Sequence, residues 1–327
     1  LTPSGNHQPL KATDFKLPAG ELSVLNLRRG ETAKLLLGAA SYEVQPDSVY
    51  YFGAKSATRL ELAQIGLAGM PDAKDGQSPA IPRAQSNSAD DDAARTIPVK
   101  ILVDEEEHTK SAVWQHRLKD RVAAVSAILD HYCGMLLKVV ATGTWQSDNQ
   151  IHDFEEAVNE FGQKVDPGDA RIAIGFTSQY QIVKGRTHLG GTRGPLAHHI
   201  LLREWSQFVS EPERMELLLH EVGHFLGAVH SPEPDSVMRV ILGDKQARTR
   251  KFQVHFDPLN TLALNLVAEQ WRQHPLASFA DLSPITRERL RSVYFAIDQA
   301  LPDDPAAKQY MYLLDHSRMP HVSIGSQ

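Results

Sequence analysis

Residues 220 to 230 read His-Glu-Val-Gly-His-Phe-Leu-Gly-Ala-Val-His, and this run leaves the chain few shapes. His220 and His224 are four residues apart, so on a helix both imidazoles project from one face. Glu221 sits beside the first of them and can reach a water bound to a shared metal. Gly227 lets the chain leave the helix by a left-handed turn, which brings His230 round as a third ligand. Three neutral imidazoles plus one open position is the arrangement of a catalytic zinc. The short H-E-x-x-H pattern alone is a weak signal; five fixed positions in H-E-x-x-H-x-x-G-x-x-H are a strong one. The helix itself is well specified. Ser210 and Glu213 form a capping box, Pro212 is tolerated in the first turn, and Met215, Leu218, Leu219, Val222 and Leu226 make an apolar stripe.

The chemistry follows from the residue types. Zinc lowers the pKa of a bound water toward ~7 and polarises a carbonyl oxygen. Glu221 is placed to take the water's proton and pass it to a leaving amine. No nucleophilic side chain is needed, and no Cys or Ser arrangement suggests one. The expected function is zinc-dependent endopeptidase activity on extended polypeptides. The alternative is a catalytically silent, zinc-stabilised binding or scaffold protein, against which the presence of Glu221 argues.

The rest of the composition narrows the partners. Lys plus Arg number 34 against 40 Asp plus Glu, a net charge of −6, which offers no basic footprint for nucleic acid. A single cysteine among 327 residues forms no intramolecular disulfide and builds no Cys-based zinc site. Cys133 lies on the apolar face of a predicted helix and reads as a buried structural thiol. No run approaches the ~18 apolar residues of a membrane span. The first residue is Leu1, so a secretory signal would lie upstream, and a secreted or exported protein is expected.

The length allows about two domains. Residues 71–96 hold Pro71, Pro79, Pro82, Gly76 and the acidic run Asp90-Asp91-Asp92, with Ile81 as the only large apolar residue, and read as a mobile linker. Residues 1–70 alternate like β-structure, in runs such as Glu21–Leu27 and Ser48–Phe52, and read as a small β-rich pro-region or binding module. From residue 97 the pattern becomes strand (97–103), helix (Trp114, Leu118, Val122, Val125, Leu129, Cys133, ended by Gly134), strand (136–142), helix (Phe154, Val158, Phe161) and strand (170–176). That order predicts an α/β (α+β) domain with a twisted, mostly parallel sheet over 97–275. Asp257 caps a helix starting at Pro258, and 276–327 form a C-terminal helical extension, expected to be packing elements.

The motif resembles that of the metzincin zinc metallopeptidases, over about 97–275. Their methionine-containing turn has a counterpart in Ser236-Val237-Met238-Arg239, with Met238 eight residues beyond His230. Ser231 directly after the third histidine is similar to the matrixin branch, and Val237-Met238-Arg239 is similar to reprolysins. Astacins and serralysins carry a tyrosine two residues after the methionine; Val240 stands there, so their tyrosine contact is not implied. The resemblance implies an antiparallel edge strand that binds substrate by strand addition, at Pro195–Ile200, making Leu196, Ala197 and His198 substrate-binding residues. It implies a specificity-pocket wall at Arg239–Gly243, making Arg239 and Val240 candidate substrate-binding residues. It also places His198 where matrixins hold a second, structural zinc, but partners at the family's spacing are missing. A Pro-Arg-Cys-Gly latency segment is absent, so an inhibitory pro-region would have to act sterically or through a carboxylate or histidine.

Overall fold

Ile97, Val99, Ile101 and Val103 are all buried along one run, and Leu102 is buried on the opposite face, so this strand needs cover on both sides. The fold supplies it with a layer of helices on each face of a sheet. The computed structural model describes residues 33–37, 40–44, 48–56, 59–66, 89–179, 182, 189–204, 209–242, 246–248 and 254–316.

Two antiparallel hairpins come first: β1 (Ala33–Leu37) with β2 (Ala40–Val44), and β3 (Ser48–Ser56) with β4 (Arg59–Gly66). The run Glu21–Leu27 lies outside the described residues, as do residues 71–88 of the expected linker. The linker reading does not extend to its end. Residues Ala89–Ala94 form α1, and β5 (Thr96–Asp104) begins at once after it. Aspartates at the N-terminal end of a helix complement its dipole, which explains why an acidic run becomes helical there. Arg95 then pins the junction through ion pairs with Asp92 and with Asp130 at 2.6 Å.

The main sheet has five strands in the order β6-β5-β7-β9-β8. The unit β5–α2 (Ser111–Cys133)–β6 (Leu136–Trp145)–α3 (Phe154–Lys164)–β7 (Ile172–Thr177) gives parallel pairs of β5 with both β6 and β7, as its sequence pattern predicts. Gly134 ends α2 in the left-handed region at φ 71°, its N–H donating to the carbonyls of Leu129 and Asp130. One sheet face (Ile101, Ile174, Ile200, Leu202) packs on α2, α4 (Glu211–Phe225) and α5 (Pro258–Gln273). The other (Leu102, Ala173, Leu201) packs on α3 through Phe154, Val158 and Phe161. Cys133 is buried, its thiol donating to the Leu129 carbonyl.

The far side of the sheet departs from expectation. The antiparallel edge strand is β8 (Gly190–Thr192), not residues 195–200. Residues 195–198 form a turn, and β9 (His199–Arg203) lies inside the sheet, parallel to β7 and antiparallel to β8. Ile200, Leu201 and Leu202 are each at most 2% exposed, so β9 is covered on both faces.

Arg121 on α2 sets the entry to α4. Its guanidinium forks onto Glu204, just after β9, at 2.7 and 3.0 Å, and onto Glu211, at the start of α4, at 2.6 and 2.8 Å. After α5, the chain adds α6 (Pro284–Ala300) and α7 (Ala306–His316), whose buried Leu290, Tyr294, Tyr310 and Leu314 join the same core. No described helix is long and apolar enough to cross a membrane.

Candidate metal centre

The site is built on α4. The carboxylate of Glu213 accepts from the Ser210 N–H at 2.7 Å and hydroxyl at 2.8 Å, and Arg248 holds it from the other side at 2.7 Å. The helix runs through His220, Glu221 and His224 and ends where Gly227 takes φ 91°. The Ala228 N–H closes the turn onto the Gly223 carbonyl at 2.9 Å. Asn260 on α5 then clips the outgoing chain, accepting from Val229 N–H at 2.8 Å and donating to its carbonyl at 2.9 Å. His230 is thereby delivered to the face of α4 that carries the other two imidazoles.

One potential ligand atom from each of His220, His224 and His230 lies within 4.8 Å of the other two, the only such three-residue group among the described residues. Each ring is fixed through its Nδ1. His220 Nδ1 faces the Val237 carbonyl at 2.8 Å, His224 Nδ1 the Ala228 carbonyl at 3.0 Å, and His230 Nδ1 the Asp304 carboxylate at 2.7 Å. Those partners only accept, so Nδ1 carries the proton in each ring and Nε2 keeps its lone pair. The Nε2 atoms of His220 and His224 face each other at 3.0 Å, an arrangement that repels unless a cation or a proton sits between them. Burial, with the neighbouring imidazoles, pushes the His220 pKa well below its usual value and the His224 pKa down to about 4. The neutral, metal-ligating forms are therefore favoured. The donor set suits a zinc-like cation.

Glu221 is 5% exposed, and burial pushes its carboxyl up to about 8. The backbone of β8 passes directly beside it: a Cβ placed on Gly190 would fall 2.6 Å from Glu221 Oε1. Met238 is fully buried beneath the same helix, and a Cβ on Gly223 would meet its sulfur at 2.8 Å. Residues 236–239 form a tight turn closed by Arg239 N–H to the Ser236 carbonyl at 3.1 Å. The Ser236 hydroxyl donates to Asp257 at 2.8 Å and accepts from the Met238 N–H at 3.0 Å. This turn is what presents the Val237 carbonyl to His220.

Several residues expected at the substrate face are elsewhere. Leu196 is 1% exposed at φ 58°; its N–H donates to the Phe225 carbonyl at 2.8 Å and its own carbonyl accepts from Arg171 at 2.5 Å. It braces the turn against the end of α4 and has no free face for a substrate. Arg239 is 5% exposed and paired with the buried Glu216 at 2.6 Å, so it ties the turn to α4 rather than lining a pocket. His198 is exposed, with Nδ1 at 3.0 Å from Arg171, and belongs to no metal-ligating group among the described residues. Ala197 is partly exposed, Val240 is 49% exposed and Ile241 71%.

The C-terminal segment is part of the site, which its helical periodicity did not show. The Tyr294 hydroxyl donates to the Gly227 carbonyl at 2.7 Å and the Tyr310 hydroxyl to the His224 carbonyl at 3.1 Å, capping the end of α4. Burial, with a smaller effect from Glu221, pushes the Tyr310 phenol well above its ordinary range.

No protein-family profile matches the chain, and no curated protein matches it. Among solved structures, the archaemetzincin of Methanopyrus kandleri aligns over 53% of this chain and 96% of its own, at 16% identity and a TM-score of 0.40. A chaperone–substrate complex aligns over 55% of this chain at 14% identity and a TM-score of 0.39. This chain spans 35% of that one. Scores this low assign no function.

Proposed function

We propose that the chain is a zinc-dependent endopeptidase of metzincin type. The observation that carries this reading is the imidazole triad, with every Nδ1 held by an acceptor, the Nε2 atoms of His220 and His224 facing each other, and a ligand atom of His230 within 4.8 Å of both, next to a buried glutamate. His220, His224 and His230 would hold the metal. Bound zinc would supply a Lewis acid for a peptide carbonyl and lower the pKa of a water. Glu221 is the residue that would take a proton from that water and give it to a leaving amine. Burial pushes the Glu221 carboxyl up to about 8, and a metal cation bound by the adjacent neutral imidazoles would work the other way. Met238 and its turn hold His220 in place from below.

Substrate binding is assigned to β8. Among the described residues only one of its sides is paired, with β9, so the other offers a row of backbone groups for an extended peptide to add as a further strand. A peptide bound there runs beside Glu221, because Gly190 does. Ala197 and the exposed Val240 remain candidates for side-chain contact with substrate.

The test is removal and return of metal. Dialysis against a chelator abolishes cleavage of an unfolded protein substrate, and one equivalent of zinc restores it. Cleavage that persists in the stripped protein overturns the reading. Bound zinc without cleavage of any substrate makes the chain a zinc-stabilised binding protein instead.

A further inference from the structure

Two of the three imidazoles are oriented by backbone carbonyls, those of Val237 and Ala228. His230 is different. Its Nδ1 lies 2.7 Å from a carboxylate oxygen of Asp304, 74 residues further on, in the turn between α6 and α7. The pair is mostly enclosed, with side chains 25% and 12% exposed. We propose that Asp304 is a positioning residue of the metal centre, so that the C-terminal extension is needed to complete the zinc site. This inference rests on the zinc reading above.

The physical case has three parts. A carboxylate is a stronger acceptor than a carbonyl, so it fixes the Nδ1–H tautomer of His230 and raises the basicity of the Nε2 that faces the other rings. It also brings a negative charge to a site whose three imidazoles are neutral, partly offsetting a dication. Finally, its position is built in rather than incidental. The Asp304 N–H bonds to the Leu301 carbonyl at 3.2 Å, and the hydroxyls of Tyr294 and Tyr310 dock α6 and α7 onto the carbonyls of Gly227 and His224.

Asp304 has a second task, and the two can be separated. Its Oδ1 accepts from the Ala306 N–H at 2.9 Å and so starts α7, while Oδ2 faces His230. Asp304→Asn keeps an oxygen for the helix start but turns an amide donor toward the Nδ1–H. Asp304→Ala removes both contacts. Asp303→Asn, on the exposed neighbour, removes the same charge without touching His230.

The experiment titrates metal-free full-length chains with zinc against a chromogenic chelator, and records cobalt(II) absorption spectra and metal-free melting temperatures. Wild type and Asp303→Asn bind one equivalent with equal affinity. Asp304→Asn binds about 10- to 100-fold more weakly, with an altered cobalt spectrum and a metal-free melting temperature close to wild type. Asp304→Glu recovers part of the affinity. Equal affinity of Asp304→Asn and wild type, with or without a lower melting temperature, overturns the inference while leaving the zinc reading intact. If wild type takes up no metal, both fall.

Discussion

Gly190 is the residue whose lack of a side chain matters most at the site. Glu221 occupies the space a Cβ would need, so Gly190→Ala must displace either the glutamate or the edge strand. Displacing a proton-transfer group by a fraction of an ångström to an ångström costs roughly ten- to a hundredfold in rate. The expected outcome is a fall of that size in kcat for peptide hydrolysis with zinc content unchanged. A variant with wild-type kcat would show that Glu221 has room to move. The three imidazoles that the motif predicts do come together, because their spacing is local to one helix and the turn after it. Gly190 carried no such mark: it is one glycine in a glycine-rich stretch, and its importance arises from a neighbour 31 positions away. Leu196 hides its role for the same reason. Its left-handed backbone and burial are imposed by the Phe225 and Arg171 contacts, and a leucine advertises neither.

At the level of elements, the buried Arg239–Glu216 pair decides how the 236–239 turn sits under α4. Both side chains are nearly sealed from solvent, at 6% and 1% exposure. Removing one partner strands a buried charge, so Arg239→Ala is expected to lower stability by about 3–5 kcal/mol. Denaturant unfolding measures this; a substrate-facing arginine would instead alter cleavage preference at unchanged stability. The long elements were legible. The α2 stripe from Trp114 to Cys133 and its Gly134 stop, and the parallel order of β5, β6 and β7, follow from periodicity and from the crossover rule. The short ones were not. β8 is Gly-Gly-Thr, with no apolar alternation to read, and whether a strand is an edge depends on neighbours that local sequence does not name. The family resemblance put the edge at 195–200, yet the apolarity of Ile200, Leu201 and Leu202 is what puts β9 inside the sheet.

For the molecule as a whole, one buried acid tunes stability with pH away from the metal centre. Asp104, at the end of β5, is 1% exposed, with Oδ2 held by Thr177 and Ser178 and Oδ1 without a hydrogen-bond partner. Desolvation pushes its carboxyl from 3.8 up to about 6. The folded chain thus holds this proton more tightly than the unfolded one, so the group's favourable contribution is present below about pH 4 and is lost as pH rises to about 6. Relative to wild type, Asp104→Asn should gain up to about 3 kcal/mol between pH 4 and pH 7, read by denaturant unfolding at both. A constant difference would mean that the carboxyl titrates normally. At this scale the C-terminal extension changes most: read from sequence as packing, it supplies Asp304, Tyr294 and Tyr310 to the end of the helix that bears the triad. The central claim is that Glu221 turns a histidine-bound metal into a peptidase. Digestion of a peptide library by zinc-loaded wild type and Glu221→Ala, with mass-spectrometric readout, tests it most directly. Cleavage by wild type and its loss in a variant that still holds one zinc is the result predicted; equal cleavage by the two proteins would contradict the account.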